Sequence, residues 1–231
     1  MPGDPTPADP GDPTPGGPAP ALATVDDYAG HARARLDPAV WDFIEGGAGS
    51  ERTVAANRQA FDRVTLRPRM LTGVDHPDIA VTVLDRTWAA PVAVAPMAYH
   101  TLVDDRGELA TVEAAGEVGV PLVLSAFAGR PVAELAAAAR APLWQQVYCF
   151  RDRAVTRDLV ATARAAGAEA LVLTVDTPRL GRRPRDLRNG FRLPAGVGPA
   201  NLPPGDYASP DAHARAALDP AADWSMVEWL R

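Results

Sequence analysis

Polar side chains recur at one kind of position in this sequence, the ends of short apolar runs. Ser125 closes Pro121 to Ser125 (PLVLS), Gln146 and Tyr148 close Leu143 to Tyr148 (LWQQVY), and Thr174 and Asp176 end the run that starts at Ala170. Each of these groups can donate or accept hydrogen bonds, so the row suits the binding of a polar ligand. A second concentration is basic: six arginines lie between Arg179 and Arg192. Most of these are expected to be structural, pairing with carboxylates such as Asp176 and Asp186. A nucleic-acid surface is disfavoured, because no series of aromatic residues accompanies the block and the chain carries a net charge of −6. All 23 basic residues are arginine, so no reaction that needs a lysine amine can be completed by this chain. The single cysteine, Cys149, excludes an internal disulfide and a cysteine-based metal site. Of the four histidines, His31, His76, His100 and His213, His100 is the nearest by sequence to a candidate site.

The elements that must position these groups follow from periodicity. Pro91 to Ala95 (PVAVA), Pro121 to Ser125, Leu143 to Tyr148 and Ala170 to Val175 read as short buried strands, with starts every 20 to 30 residues. Helical stretches follow the first three at Gly107 to Val118, Pro131 to Arg140 and Ala154 to Ala166. Alternation at that spacing predicts parallel pairing through right-handed crossovers. A doubly wound dinucleotide fold would place a glycine-rich turn after its first strand, whereas this chain has Ala95-Pro96-Met97-Ala98-Tyr99-His100 there. The pattern therefore predicts an α/β chain of the (β/α)8 barrel kind, incomplete, with about four βα units. Barrel enzymes place their chemistry at the carboxyl ends of the strands, where the polar residues gather.

Three helices are expected before the first barrel strand. One opens at Thr24 with Asp26 and Asp27, a second runs from Pro38 to Glu45 and stops at Gly46-Gly47, and Ser50 caps a third over Glu51 to Phe61. In the third, Val54, Ala55 and Phe61 are expected to share an apolar side. Val81 to Leu84 reads as a short strand, and Asp223-Trp224-Ser225 opens a final helix.

Composition sets the outer limits. With 231 residues, 47% hydrophobic and 23% charged, the chain can bury a core, which excludes wholesale disorder, collagen and coiled coil. Residues 1–23 form the exception: the first twenty hold eight prolines and four glycines, and such a segment is expected to be a disordered tail. No apolar run approaches the roughly 18 residues of a membrane span, and no signal peptide opens the chain. A cytoplasmic location, with no membrane partner, is the expectation.

Several motifs resemble the FMN-dependent 2-hydroxy acid oxidases and dehydrogenases, the family of glycolate oxidase, lactate oxidase and mandelate dehydrogenase. They are DFIEGGAGSE at Asp42 to Glu51, ANRQAFDRVTLRPRML at Ala56 to Leu71, APMAYHTLVDDRGELA at Ala95 to Ala110, QVYCFRDR at Gln146 to Arg153, and LTVDTPRLGRRPRDLRNGF at Leu173 to Phe191. Their order and spacing are specific together, the similarity covers 24–231, and the hydroxymandelate oxidase branch is the nearest in character. The resemblance implies an FMN cofactor and a small 2-hydroxy acid substrate oxidised to a 2-oxo acid. By the same resemblance, Pro96, Met97 and Ala98 lie against the flavin ring, and Ser125, Gln146 and Thr174 hydrogen-bond its polar edge. Tyr148 contacts the hydroxyl-bearing carbon, and Arg183 holds the substrate carboxylate with its planar fork of donors.

Two departures from the family pattern matter. Phe43 stands where members often carry a tyrosine that helps bind the carboxylate. With Phe127, it favours an aromatic or bulky acid over glycolate. The family's flavin-facing lysine and its His-Gly-Gly segment with the catalytic base have no counterpart here, and none of the four histidines matches that base. The resemblance thus implies the amino-terminal portion of a catalytic domain over 24–231, with a variable loop at 190–222, in need of a carboxy-terminal half or a second copy. Two alternatives remain open: a non-catalytic half-barrel that pairs with another chain, and a different FMN barrel of the isopentenyl-diphosphate isomerase type.

Overall fold

The computed structural model describes residues 22–177 and 179–231. The tail expected over 1–23 lies outside them apart from Leu22 and Ala23. The chain divides into two compact units, the first ending at Asp37 and the second running from Pro38 to Arg231. The first unit contains helix α1 (Val25–Arg33). Thr24 accepts a hydrogen bond from the Asp27 amide, and the Asp27 carboxylate accepts one from the Thr24 amide at 2.8 Å. This reciprocal cap satisfies two amide donors that a helix start leaves free, and it holds the Asp27 carboxyl below its ordinary range.

The second unit opens with α2 (Pro38–Glu45), which has the expected bounds. It stops at Gly46, whose amide donates to the Asp42 carbonyl; a Cβ there would sit 2.3 Å from that oxygen. Helix α3 (Arg52–Asp62) departs from expectation in two ways. Its cap is Glu51 in a left-handed conformation, φ 58°, and not Ser50. The Glu51 carboxylate is committed elsewhere, to the Gly47 amide at 3.1 Å and to Arg185 at 2.6 Å. Nor does α3 bury an apolar side: Phe61 is 79% exposed and no residue of the helix is buried.

A hairpin follows, β1 (Val81–Val83) pairing antiparallel with β2 (Arg86–Trp88). Leu84 and Asp85 both have positive φ, which is the turn geometry that matches strand twist. The hairpin's Trp88 packs edge-on against Trp144, and Arg86 pairs with Glu169, so the hairpin closes the amino ends of the main sheet.

That sheet holds β3 (Leu122–Leu124), β4 (Leu143–Tyr148) and β5 (Ala170–Thr174), parallel and in sequential order. The strand expected at Pro91 to Ala95 is reduced to one parallel bridge, Val94 to Leu122, with two hydrogen bonds. Pro91 and Pro96 flank it and have no N–H to extend the ladder. Helices α4 (Glu108–Val118), α5 (Val132–Ala138) and α6 (Arg153–Ala165) alternate with the strands. Side chains alternate across a strand, and here the two faces have separate duties. Leu122, Leu124 and Leu143 face α4 and α5, with Val112, Ala115, Val132 and Leu135 in one core. Val147 and Leu173 continue that face against Leu159 of α6. The other face carries Val123, Trp144, Gln146, Tyr148, Val172 and Thr174 by register. Helices against one face and sequential strand order are the arrangement of a barrel wall, whereas a doubly wound sheet reverses its order and covers both faces.

Beyond the sheet lie α7 (Pro184–Asn189), α8 (Pro210–Ala217) and α9 (Ser225–Leu230). The first two were not legible in the sequence; α8 lies within the stretch read as loop over 190–222. A bridge between Phe150 and Leu218 ties the end of α8 to the segment after β4.

The two exposures predict unlike costs. Leu135→Ala, at a side chain with no exposed surface, should destabilise the protein by about 2–5 kcal/mol. Phe61→Ala should change stability by less than about 0.5 kcal/mol. Urea unfolding of the two variants measures both, and equal losses would contradict this placement of the core.

Candidate active site

The register of β4 and β5 sets Tyr148 beside Thr174 and Gln146 beside Val172. Continuing β3 by one residue brings Ser125 to the same face. Three of the residues singled out by sequence, Gln146, Tyr148 and Thr174, therefore share a surface, and Ser125 joins them at its edge. The loop holding Pro96, Met97 and Ala98 follows the Val94 bridge to β3, and Tyr99 donates its amide to the Phe127 carbonyl at 3.2 Å. Pro96 and Met97 are exposed, while Ala98 packs into the aromatic cluster described below.

The adjacent glutamines show what the alternation does. Gln145, on the helix face, donates its side-chain amide to the carbonyls of Gln146 and Leu124, at 2.7 and 3.3 Å. Gln146, on the opposite face and 1% exposed, accepts from the Ala126 amide at 2.8 Å through Oε1, while its Nε2 is buried with no hydrogen-bond partner. A buried donor without an acceptor costs about 1–3 kcal/mol, which a polar ligand would recover. Ser125, 6% exposed, accepts from the Phe127 amide at 3.1 Å through Oγ.

A cleft of about 260 Å³ opens at the carboxyl ends of β4 and β5, with Tyr148, Thr174, Thr177, Leu218, Trp224 and Val227 among its walls. Burial raises the Tyr148 hydroxyl above the ordinary tyrosine range; the Thr177 hydroxyl opposes this, and Asp176 adds to it. The phenol therefore keeps its proton at neutral pH and acts as a hydrogen-bond donor. Phe127 lies 5.5 Å from Tyr148, centroid to centroid, and both belong to an aromatic cluster with Tyr99, Phe150 and Phe43. Phe43 stacks on Phe191 at 4.4 Å.

Arg183 sits beside this stack with its guanidinium carbon 5.6 Å from the Phe43 ring centre. Its Nε donates to Asp186 at 2.6 Å and its Nη2 to the Phe43 carbonyl at 2.5 Å. Arg185 bridges Asp42 and Glu51, and Asn189 donates to Asp42. Two arginines of the block, Arg183 and Arg185, thus tie α7 to α2 and to Glu51 and hold the Phe43 backbone; of the expected carboxylate partners Asp186 is engaged, by Arg183. Gly181 admits the close approach: a Cβ there would lie 2.6 Å from the Ala48 methyl carbon.

Two groups escaped sequence reasoning. Glu108, 1% exposed, accepts the His100 and Gly129 amides at 3.2 and 2.9 Å and so joins the loop after Val94 to the loop after β3. An acid in the first turn of a helix ordinarily reads as a solvated partner of the helix dipole, so nothing marked it as buried. His100 serves the same joint: its Nδ1 is 3.0 Å from the Thr111 hydroxyl, and burial lowers its pKa while the Glu108 charge opposes the shift. His213 is the other, set against Phe127 and Tyr207. Among the described residues no group of acids, histidines and cysteine is placed to hold a metal ion, and no helix is long and apolar enough to cross a membrane.

Residues 32–231 match the model of the FMN-dependent dehydrogenase family. The chain is 36% identical to 2-hydroxyacid oxidase 1 of Homo sapiens over 224 residues, 92% of this chain and 60% of the relative. It is 41% identical to 4-hydroxymandelate oxidase of Amycolatopsis orientalis, over 87% of this chain and 58% of that protein. A crystal structure of mandelate oxidase with (S)-4-hydroxymandelic acid superposes with a TM-score of 0.83 at 39% identity, covering 89% of this chain and 60% of that one. The α/β fold matches that of mandelate oxidase, and the chain spans about 60% of the length of these relatives. With the family model covering most of its length, the chain belongs to the FMN-dependent dehydrogenase family.

Proposed function

We propose that this chain supplies the amino-terminal part of an FMN-dependent enzyme that oxidises a 2-hydroxy acid to a 2-oxo acid, and that it prefers an aromatic side chain on that acid. The observation that carries the reading is the unpartnered Gln146 Nε2 on the face that also presents Ser125, Tyr148 and Thr174. A flavin ring presents donors and acceptors along one edge, and this set of amide and hydroxyls fits it. Residues 24–231 would form one catalytic domain with its variable loop at 190–222 and four βα units of a barrel wall. Beyond β5 no strand follows in the sheet among the described residues. A carboxy-terminal half or a second copy would continue the wall there.

In this reading Gln146, Ser125 and Thr174 hold the ring, and the loop of Pro96, Met97 and Ala98 lies along it. Bound FMN supplies the two-electron acceptor for the substrate's alpha carbon. Tyr148 stays protonated and donates to the substrate hydroxyl, orienting the carbon that is oxidised. Arg183 faces the carboxylate with the part of its guanidinium that Asp186 and the Phe43 carbonyl leave open. Phe43 and Phe127 offer apolar surface to the side chain and exclude water from it. The base that takes the hydroxyl proton is not assigned to any residue of this chain.

Two outcomes are expected. Titration with FMN should shift the flavin's visible absorbance and quench its fluorescence. Gln146→Leu should weaken binding by about 2- to 10-fold, the worth of one ordinary hydrogen bond; no flavin binding to correctly folded protein would remove this reading. In the complete enzyme, mandelate should be oxidised with higher kcat/KM than glycolate. Phe43→Tyr should improve glycolate by about 1.5–3 kcal/mol, the scale of a hydrogen bond to a charged group. Steady-state kinetics on the two acids measures both, and equal efficiencies in the unaltered enzyme would count against the proposed preference.

A further inference from the structure

Against the aromatic cluster at the carboxyl end of the sheet packs an imidazole that the chemistry above does not use. His213 lies on α8 and meets Phe127 edge-on, with centroids 5.7 Å apart at 88°, while Tyr207 packs against it at 4.4 Å. Its Nε2 is buried and has no hydrogen-bond partner. Tyr207, by contrast, is satisfied, donating its hydroxyl to the Pro203 carbonyl at 2.6 Å. The position of α8 is fixed at both ends. Ser209 caps its start, and at its close the Ala217 carbonyl accepts the Arg151 amide while the Asp219 amide donates to Cys149. Burial lowers the imidazole pKa, with Asp206 opposing, so the ring is neutral and one nitrogen donates while the other accepts.

Phe127 packs against both rings, its centroid 5.7 Å from that of His213 and 5.5 Å from that of Tyr148. We propose that His213 is a specificity-determining residue whose Nε2 hydrogen-bonds a polar substituent, above all a phenolic hydroxyl, at the distal end of an aromatic 2-hydroxy acid. The inference rests on the reading that Tyr148 meets the hydroxyl-bearing carbon. From there a side chain packed on Phe127, which touches both rings, would bring its far end toward His213. For a bare phenyl group an aliphatic residue would line the wall at no polar cost. An imidazole nitrogen buried there stays unpaired unless the ligand supplies the partner. A pocket with such a group rejects the analogue that lacks the partner more strongly than an apolar pocket rejects a change of size.

The test uses acids that lack the 2-hydroxyl and so cannot be oxidised: 4-hydroxyphenylacetate and phenylacetate, titrated by calorimetry into the chain with and without FMN. The unaltered protein should bind the hydroxylated acid about tenfold more tightly, the effect of one well-formed buried hydrogen bond. His213→Phe, which keeps a ring against Phe127 and Tyr207, should reduce that preference to within about twofold; His213→Gln, which keeps a donor, should retain part of it. In protein with 15N-labelled histidine, the His213 ring resonances should move with 4-hydroxyphenylacetate and not with phenylacetate, an effect a purely structural histidine would not give. Equal affinities in the unaltered protein, or a preference that survives His213→Phe, would overturn the inference and leave the oxidation reading standing. Binding of neither acid would overturn both.

Discussion

The in-register parallel pairing of β4 with β5 is the constraint from which the site follows. Because side chains alternate across a strand, pairing Val147 with Leu173 commits that face to α6, and the same register sets Tyr148 against Thr174 on the other. A slip of one residue would turn Gln146 and Tyr148 toward the helices and bury two more polar groups in an apolar core. The helix-facing residues thus do more than stabilise the sheet. Val147 and Leu159, both almost fully buried, hold the register that presents the polar row.

The charged groups contribute through a different means. Loops at strand ends have few backbone partners, and here they are tied by buried or half-buried charge: Glu108 across two loops, Arg183 and Arg185 across α2 and α7. Charges taken partly out of water are costly unless paired and hydrogen-bonded, and each of these has partners of both kinds or accepts backbone amides. The Arg183 guanidinium is itself fixed by two hydrogen bonds, to Asp186 and to the Phe43 carbonyl.

What could be read in the sequence was what local pattern governs. The bounds of α2 and β4, the alternation of strands with helices and the polar row at strand ends all come from periodicity and turn residues. The strand expected at Pro91 to Ala95 shrinks to a single bridge because PVAVA has strand composition but is flanked by prolines that cannot donate. The apolar side assigned to α3 was wrong because three hydrophobic residues at helical spacing need a facing partner, and Phe61 has none among the described residues. Helix α7 lies within the arginine-rich block and α8 within the Pro/Gly-rich stretch after Phe191, and neither shows an apolar period, although Pro184 and Pro210 sit at helix starts, where proline is at home. The burial of Glu108 and the seat of His213 depend on contacts between segments far apart in the chain, which no local pattern records.

The central claim is that the face opposite the helices holds a flavin by its polar edge through Gln146. A crystal structure of the protein with FMN tests this most directly. The account predicts the ring against the loop of Pro96 to Ala98, with Gln146 Nε2 at hydrogen-bond distance from a flavin oxygen or nitrogen and Ser125 and Thr174 on the same edge. A flavin bound elsewhere, with Gln146 Nε2 still unengaged, would contradict it.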